Sequence, residues 1–255
     1  MQKQDLPIGV FDSGLGGLSV LRTLREALPC ESFIYLGDGK RCPYGERSKE
    51  EVLLFTREAV ERLLAEGCKL IVLACNTATA VAVKLLRESY PEIPFVGLEP
   101  AVKPAALSSQ SGVIGVLATR RSLEGDHFRT TAERYADRVE IVTAVGEGFV
   151  EAVEGDQEST AETEALVRKA VEPLVKAGAD KIVLGCTHYP FLRDVIERVA
   201  GEGIEVIDSS EAVARRVATL LDEHNLRAEE GSEQSCRYIT FADESYLELL
   251  MKKAK

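Results

Sequence analysis

Leu64-Ala65-Glu66-Gly67-Cys68-Lys69-Leu70-Ile71-Val72-Leu73-Ala74-Cys75 can be laid on Val175-Lys176-Ala177-Gly178-Ala179-Asp180-Lys181-Ile182-Val183-Leu184-Gly185-Cys186, and that match decides the fold. The glycine, the Ile-Val-Leu and the cysteine coincide at a constant offset of 111 residues. Each apolar run is short enough to read as a buried strand. A second echo sets Ile8-Gly9-Val10-Phe11 against Ile114-Gly115-Val116-Leu117 at an offset of 106. One such match carries little, because hydrophobic strands resemble one another. Two in the same order at nearly the same offset predict two related lobes.

Further apolar runs at Phe33–Leu36, Phe95–Leu98, Val139–Thr143 and Ile204–Ile207 alternate with amphipathic helical patterns. Strand–helix alternation implies an α/β fold with mainly parallel sheets, here as two similar, pseudo-symmetric lobes. Ser48-x-x-Glu51 and Ser159-x-x-Glu162 read as capping boxes that start two of the helices. The chain crosses near Glu99-Pro100 and returns near Asp208. Lobe one therefore takes residues 1–98 plus 208–255, and lobe two takes 99–207. Cys236–Ala242 and the final helix are expected to pack back on lobe one. Ligands of open parallel sheets bind beyond the carboxyl ends of the strands. Cys75 and Cys186 sit just past two such ends, at equivalent points, and are expected to face each other across a cleft between the lobes.

With 255 residues, 45% hydrophobic and 29% charged, the chain can build its core without disulfide or metal staples. A net charge of −11 with no basic stripe argues against a nucleic-acid partner. No apolar run reaches transmembrane length, and Met1–Pro7 carries no apolar signal core, so a cytoplasmic protein away from membranes is expected. The cysteines at 30, 42, 68, 75, 186 and 236 form no CxxC pair and should be free thiols in a reducing compartment.

Cys30, Cys42, Cys68 and Cys236 read as small buried hydrophobes. Cys75 and Cys186 differ. Short polar groups follow each, Asn76-Thr77 and Thr187-His188, and each occupies a strand-to-helix turn whose N–H groups favour negative charge. His188 is placed to polarise Cys186 or take its proton. His127 and His224 lie in charged helical surroundings and should be solvated.

Asp12-Ser13-Gly14-Leu15-Gly16-Gly17 follows the first strand and begins like a dinucleotide loop, with Asp38 where a ribose-binding acid belongs. Ser19 stands where the third glycine should be, and Asp12 would aim a carboxylate at the pyrophosphate. Asp12 is better placed beside an ammonium group or a thiol; the other reading is that Asp12 or Ser13 caps the next helix. Cys75, Cys186, His188 and Asp12 lack the local ligand pairs of structural zinc, and no metal is expected.

Taken together, Phe11-Asp12-Ser13-Gly14-Leu15-Gly16-Gly17, Asp38 with Pro43-Tyr44-Gly45, Ala74-Cys75-Asn76-Thr77-Ala78 and Leu184-Gly185-Cys186-Thr187-His188-Tyr189-Pro190 resemble the glutamate racemase family over nearly the whole chain. Aspartate racemases share the lobes and paired cysteines but usually lack the His-Tyr-Pro. The resemblance implies interconversion of L- and D-glutamate for peptidoglycan synthesis, two catalytic cysteines, no cofactor, and a homodimer. It implies that Cys75 takes the α-proton of D-glutamate with help from Asp12. Cys186 would take that of L-glutamate with help from His188 and Glu154. It places Asp12, Ser13, Tyr44, Gly45, Asn76, Thr77, Thr187 and His188 at the substrate. Around Glu154 the pattern departs: Gly146 stands where a cysteine is common and Glu151 where a proline is common. Members that need a cell-wall precursor as activator often carry a longer N-terminus than the seven residues before the first strand here, so that dependence is not expected. The alternatives are an aspartate racemase or a related two-cysteine racemase and, from another class, a two-lobed protein binding a small anion or nucleotide.

Overall fold

The computed structural model describes residues 3–254; Met1, Gln2, Lys255 and the side chain of His127 lie outside the described residues. The chain forms two compact units, one of Met1–Leu98 with Ser210–Lys255 and one of Glu99–Ser209.

The first unit opens with β1 (Ile8–Asp12), α1 (Leu18–Ala27), β2 (Phe33–Gly37), α2 (Lys49–Ala65), β3 (Leu70–Leu73), α3 (Asn76–Ser89) and β4 (Phe95–Gly97). The chain then builds the second unit from α4 (Val102–Ser108), β5 (Val113–Ala118), α5 (Arg120–Glu124), α6 (Asp126–Tyr135), β6 (Glu140–Val145), α7 (Phe149–Glu154), α8 (Ala161–Lys176), β7 (Lys181–Gly185), α9 (Arg193–Ala200) and β8 (Glu205–Ile207). It returns to the first with α10 (Ser210–Glu223), β9 (Cys236–Thr240) and α11 (Glu244–Lys253).

The sheets run β4-β3-β1-β2-β9 and β8-β7-β5-β6, with every pair parallel. The second order repeats the first strand for strand, and β9 is an addition on the open edge of β2. Fully buried β1, β2 and β3 explain the unbroken apolar runs, since helices cover both faces of such a sheet. The repeat is also local. Gly67 and Gly178 take the left-handed conformation, at φ 85° and 87°, just past α2 and α8. There Cys68 N–H reaches Leu63 C=O and Ala179 N–H reaches Leu174 C=O, both at 3.2 Å, so each helix closes in a Schellman-type cap that a β-carbon would strain. The helices after β4 and β8 do not stay with their own strands. α4 packs on α6, β5 and β7, whereas α10 packs on α1 and β4.

Ser48 and Glu51 form the reciprocal capping box at the start of α2. The second expected box is corrected: α8 starts one residue later, at Ala161, and Thr160 is its cap. Thr160 Oγ1 accepts Thr163 N–H at 3.2 Å, and Thr163 Oγ1 in turn donates to Gln157 C=O, which fixes the threonine as the capping residue. No helix among the described residues is long and apolar enough to cross a membrane.

Candidate active site

In the first unit the site gathers where β1, β2 and β3 end. Asp12 closes β1 and is fully buried, and its Oδ2 accepts Gly14 N–H at 2.9 Å. That bond turns the chain sharply after the strand. It also corrects the capping alternative, because α1 begins at Leu18 with Gly17 at the cap and no side-chain cap bond. Ser13, one residue on, lies 3.5 Å from the Cys75 thiol, which donates to its Oγ.

Cys75 is itself the N-cap of α3. Its Sγ accepts Ala78 N–H at 3.4 Å, so the sulfur occupies the position where the helix dipole and a free N–H both favour a thiolate. The sulfur is buried, with Cys75 5% exposed. Asn76 and Thr77 behind it are buried too, and Asn76 Nδ2 has no partner among the described residues. A buried donor left unpaired costs about 1–3 kcal/mol, so this amide is a ready contact for a ligand acceptor.

Tyr44 enters from a single 3-10 turn, Tyr44–Glu46, and packs in the same buried cluster as Cys75. Its hydroxyl donates to Asp38 Oδ2 at 2.6 Å. Burial, then the charge of Asp38, raises its pKa far above the ordinary value, so it remains a phenol. Gly45 beside it is half-buried. Burial likewise raises the Asp38 carboxyl, against the pull of Tyr44 and Arg41.

In the second unit the equivalent strand, β7, ends at Gly185, and Cys186 follows. Here the expectation of matching turns is corrected in part. Cys186 does not cap a helix; it precedes a 3-10 turn at Tyr189–Leu192, and α9 starts only at Arg193. Pro190 sits in the first positions of that 3-10 turn, where its missing N–H removes no helical bond. In place of a helix N-terminus, Cys186 has a histidine: Sγ lies 3.8 Å from His188 Nδ1. His188 Nε2 in turn lies 2.6 Å from Glu154 Oε1, on the last residue of α7. Cys186, His188 and Glu154 thus form a thiol–imidazole–carboxylate relay with His188 2% exposed. The thiol and the carboxylate take opposite ring nitrogens. One imidazole cannot turn both nitrogens to a common ion, so the three do not make a chelate. Thr187 beside the relay is also buried.

Gly146, the departure noted in the sequence, has a packing cause. A Cβ there would come within 2.5 Å of the Tyr189 hydroxyl and 2.8 Å of the Phe149 ring. Those two rings pack edge to face at 5.0 Å, and Tyr189 donates to Gly146 C=O at 3.3 Å. The wedge fixes the first turn of α7, which carries Glu154, against the turn that carries His188. Burial, and then Cys186, raises the Tyr189 pKa well above its ordinary value.

Of the other cysteines only Cys68 is the buried thiol expected, its pKa pushed up to about 12 by burial. Cys30, Cys42 and Cys236 are half-buried, a correction that follows from their places in a turn, a loop and an edge strand. His224 is exposed, just past α10. The sequence did not single out Arg41 or Glu58, which join Asp38, nor the contact of Glu154 with His188 rather than with the thiol. Only the charge pattern around Asp38 could have hinted at the first.

The chain belongs to the Asp/Glu/Hydantoin racemase family, whose sequence model matches residues 8–217, and so is an amino-acid racemase, an isomerase. Within that family it is similar to glutamate racemases. That of Herpetosiphon aurantiacus is 46% identical over 95% of this chain and 95% of its own. The crystal structure of a glutamate racemase isoform from Bacillus anthracis matches with a TM-score of 0.89 at 34% identity, covering 98% of this chain and 94% of that one. That of Escherichia coli, in complex with L-glutamate and an activator, UDP-MurNAc-ala, matches at 0.82 and 32% identity over 97% and 95%.

Proposed function

We propose that this chain interconverts L- and D-glutamate with two thiols, one from each unit, acting on opposite faces of a single bound substrate. Racemisation removes a proton from one face of Cα and returns one to the other. Two fixed groups do this without any base having to travel. With L-glutamate bound, the Cys186 thiolate takes the α-proton and becomes a thiol. The electron pair spreads into the adjacent carboxylate, and the Cys75 thiol gives its proton to the other face, becoming a thiolate. The reverse sequence consumes D-glutamate.

The observation that carries this reading is that each unit ends the same strand of the repeat in a buried cysteine with its own means of holding or passing a proton. For Cys75 these are the α3 N-terminus, the Ser13 hydroxyl and the nearby carboxylate of Asp12. For Cys186 it is the relay through His188 to Glu154. We assign catalysis to five residues, Cys75, Cys186, Asp12, His188 and Glu154. The remaining substrate contacts go to Ser13, Tyr44, Gly45, Asn76, Thr77, Thr187 and His188. The α-proton beside a carboxylate is far less acidic than a thiol, so the barrier must be lowered by preorganised donors around the developing charge. The unpaired Asn76 amide, Thr77, Thr187 and the turn N–H groups supply them.

The product would feed cytoplasmic peptidoglycan synthesis, and a homodimer is the assembly proposed. Purified protein stripped with a chelator, with no cofactor added, should abolish the optical rotation of L-glutamate. Unchanged rotation would refute the activity, and faster turnover of aspartate than of glutamate would redirect it to an aspartate racemase.

A further inference from the structure

Beside Cys75 the first unit holds a charged cluster that the two-thiol scheme leaves unused. Asp38 follows β2 and is fully buried. Two donors converge on its Oδ2, the Tyr44 hydroxyl and the Arg41 Nε–H, each at 2.6 Å, while Oδ1 is buried without a partner among the described residues. Arg41 also donates to Glu58 of α2. Its guanidinium lies 4.3 Å from the centre of the Phe55 ring on α2 and 4.8 Å from that of Phe241, just past β9.

The tail that brings Phe241 has no counterpart in the second unit. It holds the end of β2 and the loop after it at two more points. Thr240 Oγ1 donates to Gly37 C=O at 2.6 Å, and the Tyr246 ring lies so close to Gly39 that a Cβ there would come within 2.2 Å of it. The segment from Asp38 to Arg47, which ends in the Tyr44–Glu46 turn, is therefore fastened to β2, α2 and the tail. Arg41 is where the three meet. A planar guanidinium can stack on two rings while serving two carboxylates; a lysine ammonium cannot do both.

We propose that Arg41, acting through Asp38, is a positioning residue that holds the Tyr44–Gly45 turn for substrate, and so governs how tightly glutamate binds rather than how fast its proton moves. The proposal rests on reading Tyr44 and Gly45 as substrate contacts. Neither Arg41 nor Glu58 touches a reacting atom in it.

The test is Arg41→Met, which keeps an apolar stem against the rings and removes the charged bonds. KM should rise about tenfold for both enantiomers, the equivalent of ~1.4 kcal/mol, with kcat changed by less than about threefold. Arg41→Lys should recover part of the loss. A fall in kcat at unchanged KM, or no change in either, overturns the proposal. Hydrogen exchange decides it without turnover: amides of residues 39–47 should exchange faster in Arg41→Met than in the unaltered protein, while those of α3 keep their rates. Equal exchange over 39–47 refutes it. If the unaltered protein fails to racemise glutamate, the proposed activity falls while the exchange result still judges Arg41. Should Arg41→Met lack a cooperative melt, Glu58→Gln takes its place; it should raise KM in the same sense by a smaller factor, and an unchanged KM refutes the proposal.

Discussion

Replacing Glu154 by Gln keeps the size and shape of the side chain and removes its charge. The 2.6 Å contact with His188 is short enough for a charge-assisted hydrogen bond, a class worth about 1.5–3 kcal/mol. Full loss would slow the Cys186 half of the reaction by about 10- to 150-fold. The Glu154 side chain is 17% exposed, so solvent screens part of the charge and the lower end of that range, about 10- to 30-fold, is expected. Both directions must lose equally in kcat/KM, because the enantiomers have equal free energy. The asymmetry therefore appears in isotope effects measured with substrate deuterated at Cα. From L-glutamate, proton removal by the weakened Cys186 side becomes the slow step, and the isotope effect on kcat/KM rises toward its full value. From D-glutamate, the slow step becomes reprotonation, and the isotope effect falls toward one. Coupled-enzyme assays on both deuterated enantiomers read this directly. Equal isotope effects in the two directions, or a loss under twofold, would refute the relay from Glu154 through His188 to Cys186.

Cys75→Ser and Cys186→Ser should each abolish racemisation followed by polarimetry, and either one remaining active would rule out two obligatory thiols. Gly146→Ala should destabilise the second unit and lower kcat, because its methyl must displace the Tyr189–Phe149 wedge that supports His188 and Glu154; unchanged melting and turnover would contradict that packing. Lys69 and Glu31 form an ion pair 2.7 Å apart with side chains 1% and 2% exposed, so Lys69→Ala should cost about 3–5 kcal/mol in urea unfolding, and a loss under about 1 kcal/mol would show the pair to be dispensable. Burial alone would raise the Asp180 carboxyl, but Gln110 N–H, the Ser109 hydroxyl and Ser111 N–H together hold it at about 2 against an ordinary 3.8. Its stabilisation is therefore present above about pH 4 and lost as pH falls toward 2, so Asp180→Asn should lower Tm at pH 7 and cost little near pH 2. A pH-independent difference would contradict this.

The strand pattern was legible because β1, β2, β3 and β7 are buried among helices and leave unbroken apolar runs, and because Gly67 and Gly178 cap equivalent helices. Cys75 and Cys186 stood out through that repetition, and the same repetition concealed how they differ. Nothing in the strand pattern told that a 3-10 turn would follow Cys186, or that a histidine would stand in for the helix N-terminus. The contact of His188 with Glu154 spans 34 residues of chain, and no local periodicity encodes it. Ser159 and Thr160 are adjacent hydroxyls, and capping-box spacing, tolerant of a one-residue shift, does not tell which of them takes the cap. Gly146 looked like a gap in the family pattern until the Tyr189 and Phe149 rings filled the space above it.

The path of one proton tells two thiols from one, and it is followed by converting L-glutamate to low extent in heavy water and recovering both enantiomers for mass spectrometry. Two separate thiols require the D-glutamate formed to carry deuterium at Cα while the L-glutamate left behind keeps its protium. D-glutamate that retains the original proton would mean a single shuttling base, and would contradict the assignment of Cys75 and Cys186 to opposite faces.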